Sequence, residues 1–178
     1  KGKPEMVFPG SYTKGEKGAD SFTHAGRLIR AFPDWSYIEA IRAEWDGPLV
    51  VKGVQDPDDA ARLIDMGVDA IWVSNHSGRQ FEGGPAALDA LPPVVERVAG
   101  RVPVYYCSGV ENGLDILRAI ALGADFVFLG KAWYFALAAL GPRGIDHLHH
   151  ILTADMVANM TQIGARSLAD LKGRLVTG

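Results

Sequence analysis

Cysteine is nearly absent from this sequence: Cys107 is the only one in 178 residues. A lone thiol excludes an internal disulfide framework and fits a reducing compartment. Long apolar runs are missing as well. No stretch approaches the roughly 18–20 continuous apolar residues of a membrane-spanning helix. The opening Lys1-Gly2-Lys3-Pro4 leads into no apolar signal core. It also lacks an initiator Met, so we expect a piece of something longer. Basic excess is absent: the formal net charge is −3, which argues against a nucleic-acid partner. No Gly-x-Gly-x-x-Gly turn follows the first apolar strand, which removes the dinucleotide-binding fingerprint.

What is present is a globular composition, 48% apolar and punctuated by 21 glycines, in a chain long enough for one domain with a real core. Residues 1–30 are polar and read as a loop, its lysines solvated. From Pro33-Asp34-Trp35 a helix is expected, carrying Ile38, Ile41 and Trp45, and Asp46-Gly47-Pro48 stops it. Leu49–Val54 reads as a strand. Asp56-Pro57 opens a helix, with an N-cap Asp and a Pro at the first helical position. Val68–Val73 reads as a fully buried strand. A helix from about Ala86 should be kinked or broken at Pro92-Pro93. A third strand, Val102–Cys107, a further helix and a fourth strand, Ala124–Gly130, follow, and the remainder is helical with a break at Gly141-Pro142.

A repeat lies inside this pattern. Gly67-Val68-Asp69 and Gly123-Ala124-Asp125 each follow a helix and each precede an apolar strand. Such units predict a parallel sheet with right-handed crossovers. Four strands cannot close a (β/α)₈ barrel, which takes about 250 residues. The chain is therefore either a small open sheet or the C-terminal half of a barrel.

The chemistry concentrates where the second strand ends, at Ser74-Asn75-His76-Ser77-Gly78-Arg79-Gln80. His76 can exchange a proton near neutral pH. Arg79 can hold a carboxylate through two parallel hydrogen bonds. In extended chain the two are ~10 Å of contour apart, which suits a base and an anion clamp on one small acid. Lys52 ends an apolar strand, where a charge is expensive unless used. Ser108-Gly109 and Gly130-Lys131 end the third and fourth strands, where backbone N–H groups commonly bind phosphate. Cys107 could serve as a nucleophile, but a packed, inert thiol is the better reading. His147, His149 and His150 have no acidic or thiol ligands at a metal-binding spacing and read as a solvated helix face.

The heptapeptide Ser74–Gln80 closely resembles the signature of the FMN-dependent 2-hydroxy acid dehydrogenases and oxidases, the lactate, glycolate and mandelate enzymes. Val51-Lys52-Gly53-Val54, Ala90-Leu91-Pro92, Ala121-Leu122-Gly123-Ala124, Leu129-Gly130-Lys131 and Gly164-Ala165-Arg166-Ser167 match in order, so the resemblance runs over roughly residues 28–175. It implies an α/β (β/α)₈ TIM barrel of which residues 31–178 supply roughly strands 5–8, residues 1–30 ending the loop after strand 4. It implies FMN as cofactor and oxidation of a small L-2-hydroxy acid. His76 would be the base, Arg79 would clamp the substrate carboxylate, and Lys52 would stabilise reduced FMN. Ser74, Ser108, Gly109, Gly130 and Lys131 would complete the cofactor site. Oxygen, a quinone or a cytochrome would reoxidise the flavin. A homo-oligomer, tetramer or larger, and a cytoplasmic location are implied, with peripheral membrane association open. The sequence departs from the family in three places, the mildest being Ser77 where a second glycine is usual. Asp-Gly-Gly-Ile-Arg becomes Cys107-Ser108-Gly109-Val110-Glu111, and Gly-Arg becomes Gly130-Lys131. These departures leave a second reading, a non-catalytic member kept as a binding or regulatory module, and a third, another flavin- or phosphate-binding barrel enzyme.

Overall fold

The structure, a computed structural model, describes residues 34–172 and Arg174. The expected loop over residues 1–30 lies outside the described residues. Helix α1 (Trp35–Glu44) buries none of its side chains, and Trp45 falls just beyond it. Four strands follow, β1 (Val50–Val54), β2 (Ala70–Val73), β3 (Val104–Tyr106) and β4 (Phe126–Val127). They form one sheet in the order β1-β2-β3-β4, parallel throughout. Helices α2 (Pro57–Asp65), α3 (Ala87–Val98) and α4 (Gly113–Ala121) make the crossovers, and α5 (Lys131–Leu140) and α6 (Arg143–Gln162) close the chain. The strands are shorter than the apolar runs that announced them, because pairing ends where the chain turns toward the helices.

One face of the sheet packs on α2 and α3. Ile71, Val73, Leu91, Val94 and Val98 are fully buried, and Val104 and Tyr106 nearly so. The opposite face carries a cross-strand row, Lys52 beside Trp72, Trp72 beside Tyr105, Tyr105 beside Phe126. Trp72 stacks on Phe128 with centroids 4.1 Å apart, and Tyr105 meets Phe126 edge-on at 6.3 Å. Val68, Ala70, Ile71 and Val73 are buried, as expected of that run, and Trp72 is half-buried on this second face, where Phe126 is 55% exposed.

The repeated Gly-x-Asp has a job in each copy. The Asp69 N–H donates to Leu49 O at 2.8 Å, and the Leu49 N–H donates back to Asp69 Oδ2 at 2.8 Å. The Asp125 N–H donates to Val104 O and the Val104 N–H to Asp125 Oδ2, again at 2.8 Å each. Each aspartate thus ties its own strand to the first residues of the neighbour. The preceding Gly67 and Gly123 have φ of +86° and +107°, and a Cβ on Gly123 would lie 2.6 Å from Val95 Cγ1.

Two helical details matter. Helix α3 runs through Pro92 and Pro93 without the break that was one of the two expected outcomes. Their missing N–H groups cost two helical bonds, but Ala87, Ala90, Leu91, Val94 and Val98 bury one face against the sheet and hold the axis. Helix α4 starts under a borrowed cap: Asp155 Oδ2 on α6 accepts from the N–H groups of Gly113 and Leu114 at 2.7 and 3.2 Å.

Candidate active site at the strand ends

The singled-out residues gather toward the C-terminal ends of the parallel strands, except that Lys52, expected to end its strand, is the middle residue of β1. Lys52 belongs to β1, next to a bulge at Gly53, whose φ is +99°. Ser74 directly follows β2. His76–Gly78 form a 3₁₀ turn capped by Asn75, and Arg79 closes it. Ser108 and Gly109 follow β3. Gly130 and Lys131 begin α5, whose N-terminus no side chain caps.

Ser74 is the hub. It is 1% exposed, and its hydroxyl accepts from Lys52 Nζ at 3.2 Å and from the His76 N–H at 3.1 Å. Ser108 Oγ lies 3.3 Å from Ser74 Oγ and accepts from the Ser77 N–H at 3.3 Å. The half-buried Cys107 thiol donates to Ser74 Oγ at 3.1 Å. Lys52 Nζ also sits 5.4 Å from the centre of the Trp72 ring, close enough for a cation–π contact.

The stretch after β2 is not extended. His76 and Ser77 have φ of +54° and +57°, a left-handed conformation that costs a non-glycine residue energy. The Arg79 N–H donates to His76 O at 3.3 Å. The extended contour expected between His76 and Arg79 is thereby shortened, because residues 76–79 form a hydrogen-bonded turn. Desolvation, then the nearby charges of Lys52 and Arg79, push the His76 pKa below its ordinary value, and a hydrogen bond to Gln80 pulls it partly back. The result is a neutral imidazole beside two cations, which can accept a proton next to a bound anion.

Two participants carried no signal in the sequence. The Tyr106 hydroxyl donates to Ser108 O at 2.7 Å. Burial, then Cys107 and two carboxylates, push its pKa up to about 12. The Ser77 amide ties to Ser108 across 31 positions, a contact that only the sheet order creates. His147, His149 and His150 lie exposed on α6, and among the described residues no group of three metal-ligating side chains forms. No helix among the described residues is long and apolar enough to cross a membrane.

FMN fits what the strand ends offer. A Cβ on Gly53, Gly109 or Gly130 would meet nothing within 4 Å, so the backbone there lies open to a flat or phosphorylated group. Lys52 supplies a cation at one end of this row. Lys131, at the uncapped start of α5, supplies one at the other, where helix N–H groups favour an anion. Glu111, exposed at the turn before α4, is a charge of the wrong sign.

Comparison with known proteins agrees. The family model for FMN-dependent dehydrogenases matches residues 3–178. The chain is 46% identical over 145 residues to an L-lactate dehydrogenase of Chromohalobacter salexigens, covering 81% of this chain and 37% of that protein. It is 44% identical over 137 residues to an L-lactate dehydrogenase of Acinetobacter baylyi, covering 77% and 36%. A crystal structure of mandelate oxidase superposes with a TM-score of 0.78 at 35% identity, covering 86% of this chain and 46% of that one. A mandelate oxidase variant with a monooxide FMN adduct gives a TM-score of 0.74 at 36% identity over 79% of this chain and 45% of that one. The chain spans less than half the length of each of these relatives. Its sheet and helices are part of a (β/α)₈ barrel rather than a small open sheet.

Proposed function

Since the chain belongs to the FMN-dependent dehydrogenase family, we propose that it carries the proton-transfer side of an enzyme oxidising a small L-2-hydroxy acid to the 2-oxo acid. The observation that carries this reading is the grouping of Lys52, His76 and Arg79 around Ser74 and its turn at the strand ends, where burial and the two cations lower the His76 pKa. Arg79 would take the substrate carboxylate in its planar fork. An imidazole nitrogen of His76 would receive the hydroxyl proton. The O–H electron pair becomes the second bond of the new carbonyl while the Cα–H pair departs as hydride. FMN, when bound, supplies the acceptor for that hydride. Lys52 and Ser74 would hold its ring edge, and Ser108, Gly109, Gly130 and Lys131 its ribityl and phosphate end.

Oxygen, a quinone or a cytochrome would take the electrons onward. In this reading the chain supplies roughly strands 5–8 of its barrel, and the enzyme works as a homo-oligomer. The exposed Tyr134, Phe135 and Ile151 on α5 and α6 favour a covered surface there. The unpaired Cys107 suits a reducing, cytoplasmic setting.

The test is the visible absorption spectrum of the intact protein with FMN, before and after anaerobic addition of L-lactate and longer 2-hydroxy acids. Retained flavin that bleaches with one of them is expected. Retained flavin that none of them bleaches would overturn the proposed activity. A protein that holds no flavin would favour a binding module instead, for which the Cys107–Glu111 substitutions are the supporting feature.

A further inference from the structure

We propose that Ser108 is a positioning residue for His76, fixing the direction of the imidazole by tying the strained turn after β2 to the end of β3. The inference rests on the assignment of His76 as the base. It starts from the proton inventory of two hydroxyls. A serine hydroxyl has one proton to give and two lone pairs to fill. At Ser74, Lys52 Nζ and the His76 N–H fill both lone pairs, at 3.2 and 3.1 Å. The Cys107 thiol also points its weak donor at this oxygen, from 3.1 Å, so the single proton of Ser74 is left for Ser108 Oγ at 3.3 Å. Ser108 Oγ also accepts from the Ser77 N–H at 3.3 Å. The two backbone amides at the left-handed positions 76 and 77 therefore end on two hydroxyls that touch each other.

Neither hydroxyl is redundant. The Ser77 N–H is shared with Asn75 Oδ1 at 2.9 Å, but Asn75 belongs to the same turn and moves with it. Ser108 is the partner that anchors the turn to a neighbouring strand. Its own backbone reports the cost: φ is +108°, a value that favours glycine. A non-glycine residue is held there by the donation of the Tyr106 hydroxyl to Ser108 O at 2.7 Å and by the contacts of its own hydroxyl. Serine at this position gives up backbone comfort, and what it gains is a hydroxyl two bonds away from the base's own peptide unit.

Ser108→Ala and Ser108→Gly separate the hydroxyl from the backbone strain. Both remove the oxygen, and only glycine removes the strain. In the intact protein, both variants should exchange the His76 and Ser77 amide hydrogens several-fold faster than wild type. Both should reduce bound flavin about tenfold more slowly at saturating acid, the order expected for one lost hydrogen bond, with KM within about twofold because Arg79 still holds the carboxylate. Ser108→Gly should melt at a higher temperature than Ser108→Ala. Wild-type amide exchange in either variant, or a wild-type kcat in Ser108→Gly, would overturn the proposal. If the wild-type protein is reduced by no 2-hydroxy acid, the proposed activity fails, and the amide exchange alone still decides whether Ser108 holds the turn.

Discussion

Loss of water at His76 and the charges of Lys52 and Arg79 all press its imidazole toward the neutral form. Its titration midpoint, followed by NMR of the ring, should lie below the ordinary 6.5, and Arg79→Met should raise it. The linkage has a definite sign. Between the folded value and 6.5 the unfolded chain holds a proton that the folded one has released. Folding is therefore favoured as pH rises through that window and loses the advantage as pH falls through it. The acidic limb of kcat/KM should accordingly lie below 6.5, and His76→Ala should slow flavin reduction by about 10²- to 10⁴-fold, the range for a positioned general base. His76, Arg79 and Lys52 were legible from the sequence because buried strands advertise the polar groups at their ends. The Ser108–Ser77 tie was not. Two residues 31 positions apart meet only once β2 and β3 are neighbours, and no residue type demanded a positive φ at Ser77 or Ser108.

At the scale of elements, the Gly-x-Asp repeat was visible as a rhythm before its use was known. Each aspartate returns a hydrogen bond to the strand it lies beside. Asp69→Ala and Asp125→Ala should each cost about 1 to 2 kcal/mol in urea unfolding, for a charged acceptor removed from a backbone donor. The two losses should add, since the sites share no partner. Helix α4 offers a sharper contrast at its first residue. A methyl group at Gly113 would sit 2.6 Å from Met156 N and 2.9 Å from Leu152 O. Gly113→Ala should therefore force α4 and α6 apart and cost about 1 to 3 kcal/mol, with the loss read from the same urea unfolding curves. Prolines misled in the other direction. Pro92 and Pro93 predict a break on local grounds, but five buried side chains on one face of α3 outweigh two missing bonds. The short strands misled as well, because hydrophobicity marks burial and not the length over which backbones pair.

At the scale of the whole molecule, the parallel sheet shows an aromatic row, Trp72, Tyr105, Phe126 and Phe128, on the face turned away from α2 and α3. Its outer strands, β1 and β4, each pair on one side only among the described residues. Residues 34–174 expressed alone should self-associate, as unpaired edges and an aromatic face do in water. A monodisperse monomer in size-exclusion chromatography would contradict this. The repeat signalled a parallel sheet and the family resemblance a barrel, but neither told which face would stay open, since that depends on chain the sheet closes against. The aspartate ties have a bearing on how such a sheet is made. Leu49 is fastened by a residue 20 positions later and Val104 by one 21 positions later. The starts of β1 and β3 therefore gain these bonds only once the following helix and strand are in place.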